Sequence, residues 1–194
     1  MNMNTIRNSS SGYGLIDVVR VAEKGAEFGF RRATRSELEQ GISLAESLMS
    51  SKIASPDAVA EMDRITAMTA WVTGDPVEGI FLTLPLSQQG EAAVRDGSYN
   101  PASPDPAHLC ANGEGCAAFY IGVYAGATRE ARRNVMTAAA VMRVELFSAY
   151  PCFARGATED GRRSMKGLGF KPCKGGLADL FVQEALTPVS GELA

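Results

Sequence analysis

Histidine is nearly missing from this chain, since His108 is the only one among 194 residues. The four cysteines, Cys110, Cys116, Cys152 and Cys173, follow none of the spacings that usually bind zinc. We therefore expect no metal site. Cys152 reads as a buried free thiol within a strand. Cys110 and Cys116 bracket a short turn and could approach each other, but in a reducing cytosol we expect no stable disulfide between them.

Long apolar runs are also missing, because none reaches the roughly 20 residues that cross a bilayer. The first residues, MNMNTIRNSSSGYG, lack the apolar core of a secretion signal. We predict a cytoplasmic protein without membrane contact, in which residues 1–25 form a polar, flexible extension.

An excess of positive charge is the third absence, since the formal net charge is -3. A broad nucleic-acid surface is therefore not expected, although a local basic cluster is compatible with this balance. Hydrophobic residues make up 45% of the chain and charged residues 21%, which is ordinary for a globular protein with a real core. We find no internal repeat, and we predict a single domain over residues 26–188.

The segment EFGFRRATRSELEQGISLAESLMS is the clearest in the chain. Phe28 and Phe30 alternate with smaller or polar residues, as in a short strand. Thr34 and Glu37 then have the spacing of a capping box, which predicts a helix start. Apolar residues follow at helical spacing through Met49, and a second helix is predicted from Pro56 to about residue 65.

The rest of the chain predicts strands and helices in alternation. TAMTAWVTGDPVEGIFLTLPL reads as a hairpin with strands over residues 66–73 and 77–84. CAAFYIGVYA is an apolar strand covered on both faces, and AYPCFARG is another. Thr158 can cap a helix over EDGRRSMKGL, which Gly169 can end, and two strands follow. The order is strand, two helices, three strands, helix, strand, helix, two strands, which predicts an α/β fold with a mixed sheet and helices on both faces.

Residues 85–117 show little regular pattern beyond one helix near residues 88–95. A loop of this length in a compact domain is usually functional or mobile. We consider two interpretations: a lid over a site, or a tolerated surface insertion.

The stretch VYAGATREARRNVMTAAAVM poses a charge problem. Arg129, Arg132 and Arg133 crowd the first turns of a predicted helix. A helix N-terminus carries a partial positive charge and favours anions. Either these arginines point into solvent, or they help to hold an anion.

Two segments, together with the order of elements, resemble the Gcn5-related N-acetyltransferase family over about residues 26–185. Residues 32–34 fit the family's strand ending in Arg-x-Ala-Thr, and residues 37–38 fit its acidic-Leu helix start. Near the other end, residues 168–170 fit its Leu-Gly-Phe step. The resemblance implies a mixed, mostly antiparallel sheet whose fourth and fifth strands part to form a cleft. We expect residues 119–124 to be the fourth strand and residues 149–154 to lie beside it.

The resemblance also implies that acetyl-CoA, or another acyl-CoA, lies in that cleft as co-substrate, with its diphosphate on the start of the following helix. Helix N-termini and arginine both bind phosphate. The family's pattern there is Gln or Arg, two residues, Gly, one residue, Gly or Ala; this chain keeps the leading arginine and lacks both small residues. The residues implied in cofactor binding are Val123, Tyr124, Ala125, Arg129, Arg132, Arg133 and Asn134.

Catalysis by such a site needs an acid for the leaving thiolate and a base for the amine. Many family members place a tyrosine where this chain has Met165. Tyr150 is our candidate acid, with Tyr124 as a substitute, and Glu78 is our candidate base, with His108 as another. Each of them also reads as an ordinary structural or surface residue.

Two functions remain open at this point. The first is an N-acyltransferase that moves an acetyl or other acyl group from acyl-CoA to an amine on a small molecule or a protein. The second is a non-catalytic protein of the same fold that binds a ligand or partner. A divergent acyl-chain transferase uses a related fold, but its acidic and arginine signatures are not evident. Apolar strands near the C-terminus are candidates for pairing in a homodimer.

Overall fold

The structure, a computed structural model, describes residues 14–49, 52–156 and 158–186. The elements are α1 (Val18–Ala26), β1 (Arg31–Arg32), α2 (Arg35–Met49), α3 (Pro56–Thr66), β2 (Ala70–Thr73), β3 (Gly79–Leu86), α4 (Gln88–Asp96), a short 3-10 helix (Pro106–His108), β4 (Ala118–Gly126), α5 (Arg129–Glu145), β5 (Cys152–Arg155), α6 (Glu159–Gly167), β6 (Lys171–Pro172) and β7 (Leu180–Gln183). Apart from α1 and the helices of the long loop, this is the order that the sequence predicts.

All seven strands belong to one sheet, in the order β1-β2-β3-β4-β5-β7-β6. Every neighbouring pair is antiparallel except β4 and β5, which run parallel. The predicted fold class, a mixed and mostly antiparallel sheet, is therefore confirmed. The expected central position of β4, with β5 beside it, is confirmed as well.

Helices cover both faces of this sheet, as predicted. One face carries α2, α3 and α4, whose buried residues include Ile42, Val59 and Val94. The other face carries α1, α5 and α6, with Val21 and Val135 among the buried residues. Because both faces are covered, the central strands are apolar on both sides.

Local sequence explains where the main helices begin. Thr34 and Glu37 form the predicted capping box, in which the Thr34 N–H donates to the Glu37 carboxylate at 2.9 Å and the Glu37 N–H donates to the Thr34 hydroxyl at 3.4 Å. Ser55 accepts from the Ala58 N–H at 3.2 Å before α3. Thr158 accepts from the Gly161 N–H at 3.0 Å at the start of α6, as predicted.

Part of the predicted N-terminal extension is a helix that packs on the sheet. Residues 14–25 fall in the predicted flexible extension, but Asp17 caps α1 by accepting from the Arg20 N–H. Val21 is 2% exposed, and Lys24 pairs with Glu145 of α5 at 3.0 Å. Burial of the apolar side of this short helix therefore holds α1 against the rest of the domain. The remaining residues of that extension, 1–13, lie outside the described part of the chain.

Two predicted strands are shorter than expected. Phe28 precedes the sheet and Phe30 packs into the core, with its ring centroid 4.9 Å from that of Phe81, so only Arg31–Arg32 pairs with β2. The hairpin's first strand begins at Ala70 because α3 continues through residue 66. The Asp63 carboxylate accepts from the N–H groups of residues 69 and 70, which turns the chain into β2.

The long segment over residues 85–117 packs closely on the sheet for much of its length. Ser87 caps α4, Val94 is fully buried and Tyr99 is 2% exposed. The Arg95 guanidinium carbon lies 4.8 Å from the ring centroid of Phe153 on β5. This segment is therefore part of the α2/α3 face rather than an appended surface turn.

Candidate functional site

The central strands β4 and β5 part after three pairs of residues. Phe119, Tyr120 and Ile121 pair with Cys152, Phe153 and Ala154. β4 then continues to Gly126, and no described strand pairs with its β5-facing edge over residues 122–126. That edge presents backbone N–H and C=O groups that a ligand can bind.

A β-bulge marks the point of parting. Across β3, Leu82 pairs with Val123 and Thr83 pairs with Ile121, so that Gly122 is passed over. An extra residue of this kind shifts the alternation of side chains. Tyr120 and Val123 consequently lie on the same α2/α3 face, although they are three residues apart.

A wide cavity of about 330 Å³ lies on the α2/α3 face of this point. Its floor is β4 from Tyr120 to Val123. The long segment contributes Pro101 and Ala102 to its wall, which is the placement expected of a lid. The cavity's basic residues are Lys52 and Arg155; neither a carboxylate nor an imidazole lines it in the part of the chain that the structure describes.

A narrow cavity of about 130 Å³ lies on the opposite face, between the sheet, α5 and the end of α6. Ile121 lines both cavities, so they lie on opposite faces of β4 near the point where it leaves β5. The polar residues of the narrow cavity are Thr83, Tyr124, Arg143, Cys152 and Gln183.

Burial governs the ionisation of the groups around both cavities. It raises the pKa of Tyr120 to about 12 and the pKa of Cys152 to about 12, the latter against the opposing effect of Arg143. The pKa of Tyr124 is also raised by burial, while a hydrogen bond with Thr83 works the other way. At neutral pH both tyrosines are therefore proton donors rather than phenolates.

The start of α5 lies directly beyond the open edge of β4. Thr128 caps it, with its hydroxyl accepting from the Ala131 N–H at 3.0 Å. Gly126 packs so closely on this turn that a Cβ there would lie 2.5 Å from the Arg132 nitrogen. The contact fixes the helix start against the end of the strand.

The three arginines that posed the charge problem, Arg129, Arg132 and Arg133, are exposed at this helix start. None of them forms an ion pair with a residue in the described ranges. Asn134 follows them on the same helix and is half-buried. Their charge is thus available to an anion outside the protein.

The predicted cofactor-binding residues form two adjoining groups. Val123, Tyr124 and Ala125 belong to the open part of β4, and the residues of the α5 start follow immediately. Val123 lines the wide cavity and Tyr124 the narrow one. The structure thus brings these predicted residues together around one end of the parting strands.

The two predicted catalytic residues lie elsewhere. Glu78 is exposed just before β3, where its backbone carbonyl accepts from the Ala127 N–H at 2.7 Å. This places it beside the start of α5, outside the walls of both cavities. Tyr150 precedes β5 at the opposite, paired end of the two strands, where its ring centroid is 5.6 Å from that of Phe119. Their catalytic roles stay predictions.

Sequence reasoning missed Tyr120 and Arg143. Tyr120 stands one residue before the bulge, but its strand is apolar on both faces, so alternation alone could not assign it to a face. Arg143 offered a signal, since it follows Ala139 by four residues and therefore continues the apolar stripe of its helix. The position where family members place a tyrosine, Met165, belongs to α6, and its side chain is buried in the core.

Within residues 14–49, 52–156 and 158–186 there is no group of three or more His, Cys, Asp or Glu side chains placed to hold an ion. His108 is instead packed 5.9 Å from Tyr99, ring centroid to centroid. None of the described helices is both long and apolar enough to span a membrane.

Comparison with known proteins gives a likeness in structure alone. No family model and no curated protein matches the chain. Among solved structures, this chain is similar to the crystal structure of Ard1 from Thermoplasma volcanium, with 13% sequence identity and a TM-score of 0.45. The similarity covers 79% of this chain and 93% of that one.

Proposed function

We propose that this protein is an N-acyltransferase that moves an acyl group from acyl-CoA to an amine. The observation that carries the proposal is the parting of β4 and β5 after three residue pairs, with a cavity on each side and a helix start at its end. An extended thioester arm fits such an opening, because its amides can pair with the free backbone edge over residues 122–126.

The start of α5 is the proposed site for the diphosphate of CoA. The N–H groups of Arg129 and Glu130 are among those without a helical partner, and a helix start favours an anion. The exposed guanidinium groups of Arg129 and its neighbours add donors for phosphate oxygens. In the family pattern, small residues let phosphate approach the backbone closely. In this chain, the arginine side chains would bind the phosphate instead.

In the reaction, the amine nitrogen attacks the thioester carbonyl carbon, so that a C–N bond forms and the C–S bond breaks. Backbone N–H groups of the open β4 edge stabilise the oxyanion. Positioning of the amine against the thioester supplies much of the remaining rate enhancement. Tyr120 is the proposed acid: it lines the wide cavity one residue from the parting, and it donates its proton to the leaving thiolate. Glu78 stays a prediction for the base.

The wide cavity is the proposed acceptor site. Lys52 and Arg155 are its charged residues, so it suits an amine that carries an acidic group nearby. Pro101 and Ala102 make the long segment a candidate for selecting the acceptor.

The second candidate is a non-catalytic protein that binds a ligand at the same opening. One observation favours it. Glu130 is exposed in the first turn of α5, where its carboxylate opposes an incoming diphosphate, and larger side chains replace the small residues that would let phosphate approach.

Calorimetric titration of acetyl-CoA, followed by thiol release with a panel of amines, separates the two candidates. Saturable binding with a dissociation constant between about 1 μM and 1 mM, together with amine-dependent thiol release, is the result expected of the transferase. Binding without release on any amine supports the second candidate. No binding at millimolar acetyl-CoA overturns the transferase and leaves the non-catalytic candidate in its place.

A further inference from the structure

The narrow cavity contains a buried positive charge that the proposed transfer does not use. Arg143 lies in the last turn of α5, is only 8% exposed, and lines the cavity. Arginine is rarely buried without an acidic partner. Its surroundings therefore decide what this cavity can hold.

All of its described hydrogen-bond partners are neutral. The Arg143 Nε donates to Gln183 Oε1 at 2.7 Å, and Nη2 donates to the Glu184 carbonyl at 2.8 Å. Nη1 donates to the Phe147 carbonyl. These bonds use three of the five guanidinium N–H groups, and no described carboxylate pairs with the charge.

A charge in this position is costly unless an anion compensates it. Burial lowers the pKa of Arg143, while the nearby Tyr124 and Cys152 have the opposite effect. Because burial keeps these two groups neutral at ordinary pH, neither neutralises the guanidinium. An anionic ligand would.

The rest of the cavity selects the body of that ligand. Its other walls are mostly apolar and aromatic; those nearest the end of α5 and α6 are Phe119, Phe147, Leu168 and Phe170. Its volume of about 130 Å³ is close to the roughly 150 Å³ of an apolar cavity that binds benzene. The Tyr124 hydroxyl adds a donor at the polar end.

We propose that this cavity binds a small organic carboxylate with a compact apolar body, of the size of benzoate or hexanoate. The carboxylate accepts hydrogen bonds from the two remaining Arg143 N–H groups and from Tyr124, while the body packs among the aromatic rings. Val144 and Leu186, which also line the cavity, are 61% and 47% exposed and mark its outer side. The site is separate from the helix start proposed for CoA.

The probe is sodium benzoate, titrated into the full chain and followed by calorimetry and by NMR. Benzamide serves as the neutral compound of the same shape. We expect benzoate to bind at least tenfold more tightly than benzamide. We also expect benzoate to shift the NMR signals of residues around Arg143. Equal binding of the two compounds, or no benzoate binding at tens of millimolar, overturns the proposal.

Two variants locate the site. Ala139→Leu extends a side chain of α5 into the cavity and should weaken benzoate binding more than tenfold. Thr137→Leu places the same leucine side chain on the exposed side of the same helix and should leave binding unchanged. Since neither variant removes the bonds of Arg143, both should fold. If the two variants bind benzoate equally, the ligand lies elsewhere and the proposal fails.

Discussion

Replacing Gly122 by alanine should leave the fold at least as stable while it weakens ligand binding at the candidate site. A Cβ at this position would lie 3.5 Å from both Leu82 Cβ and Leu84 Cδ1, which is ordinary van der Waals contact. Gly122 does not have a positive φ, so alanine needs no strained backbone. Removing glycine then restricts the unfolded chain, which stabilises the fold by about 0.4–1 kcal/mol.

The same methyl group would stand on the bulge, in the wall of the wide cavity where the strands part. If the acyl thioester passes there, the methyl group occupies space that the ligand needs. Overpacking of this kind costs about 1–3 kcal/mol. Acetyl-CoA binding to Gly122→Ala should therefore weaken by roughly 5- to 150-fold, while the melting temperature stays level or rises by up to about 4 °C.

Calorimetric titration of acetyl-CoA, with thermal melts on the same samples, measures both effects. Gly167→Ala is the matched control, since nothing lies within 4 Å of a Cβ built there and it belongs to the end of α6. It should be at least as stable as wild type and bind normally. A folded Gly122→Ala protein that binds acetyl-CoA as tightly as the control would refute our placement of the thioester.

Three further changes test other parts of the account. Arg129→Ala removes one charge-assisted hydrogen bond worth about 1.5–3 kcal/mol, so titration should show acetyl-CoA bound roughly ten- to a hundredfold more weakly with an unchanged melt; equal binding would make this arginine a solvated side chain. Tyr120→Phe should slow thiol release roughly a hundredfold without changing acetyl-CoA affinity, and an unchanged rate would exclude it as the acid. Glu37 has its pKa lowered to about 2, first by the Thr34 N–H and then by Arg31, so its contribution to stability is present above about pH 4.5 and is lost as the pH falls towards 2. Acid melts of Glu37→Gln should show a smaller loss over that range, and melts that parallel wild type would contradict this.

Much of the architecture could be predicted because local signals agree with it. The capping box at Thr34, the proline at position 56, the cap at Thr158 and the unbroken apolar run of β4 each specify an element independently of the rest. Consistency of this kind is typical of sequences that fold to one structure. The pairing of β4 with β5 followed, since a helix connects them as in a parallel crossover.

The details of the site could not be predicted for a physical reason. The bulge at Gly122 depends on register against β3, which the strand's own residues do not determine when both faces are apolar. The same ambiguity concealed Tyr120, and the place of Tyr150 at the paired end depends on how the two strands align in the sheet. Contacts between distant segments also determine that α1 packs on the rest of the fold. Its sequence is mostly polar, and only a narrow stripe around Val21 is buried.

Backbone amide exchange of residues 122–126 tests the central claim most directly. These amides follow the last β4–β5 pair at Ile121 and Ala154, and those on the β5-facing edge should exchange quickly in the free protein. Hydrogen–deuterium exchange resolved by NMR, with and without saturating acetyl-CoA, would report each of them. The account predicts that the ligand slows exchange along this edge and at the first amides of α5, while α4 stays unchanged. Saturation that leaves residues 122–126 as fast as before would contradict it.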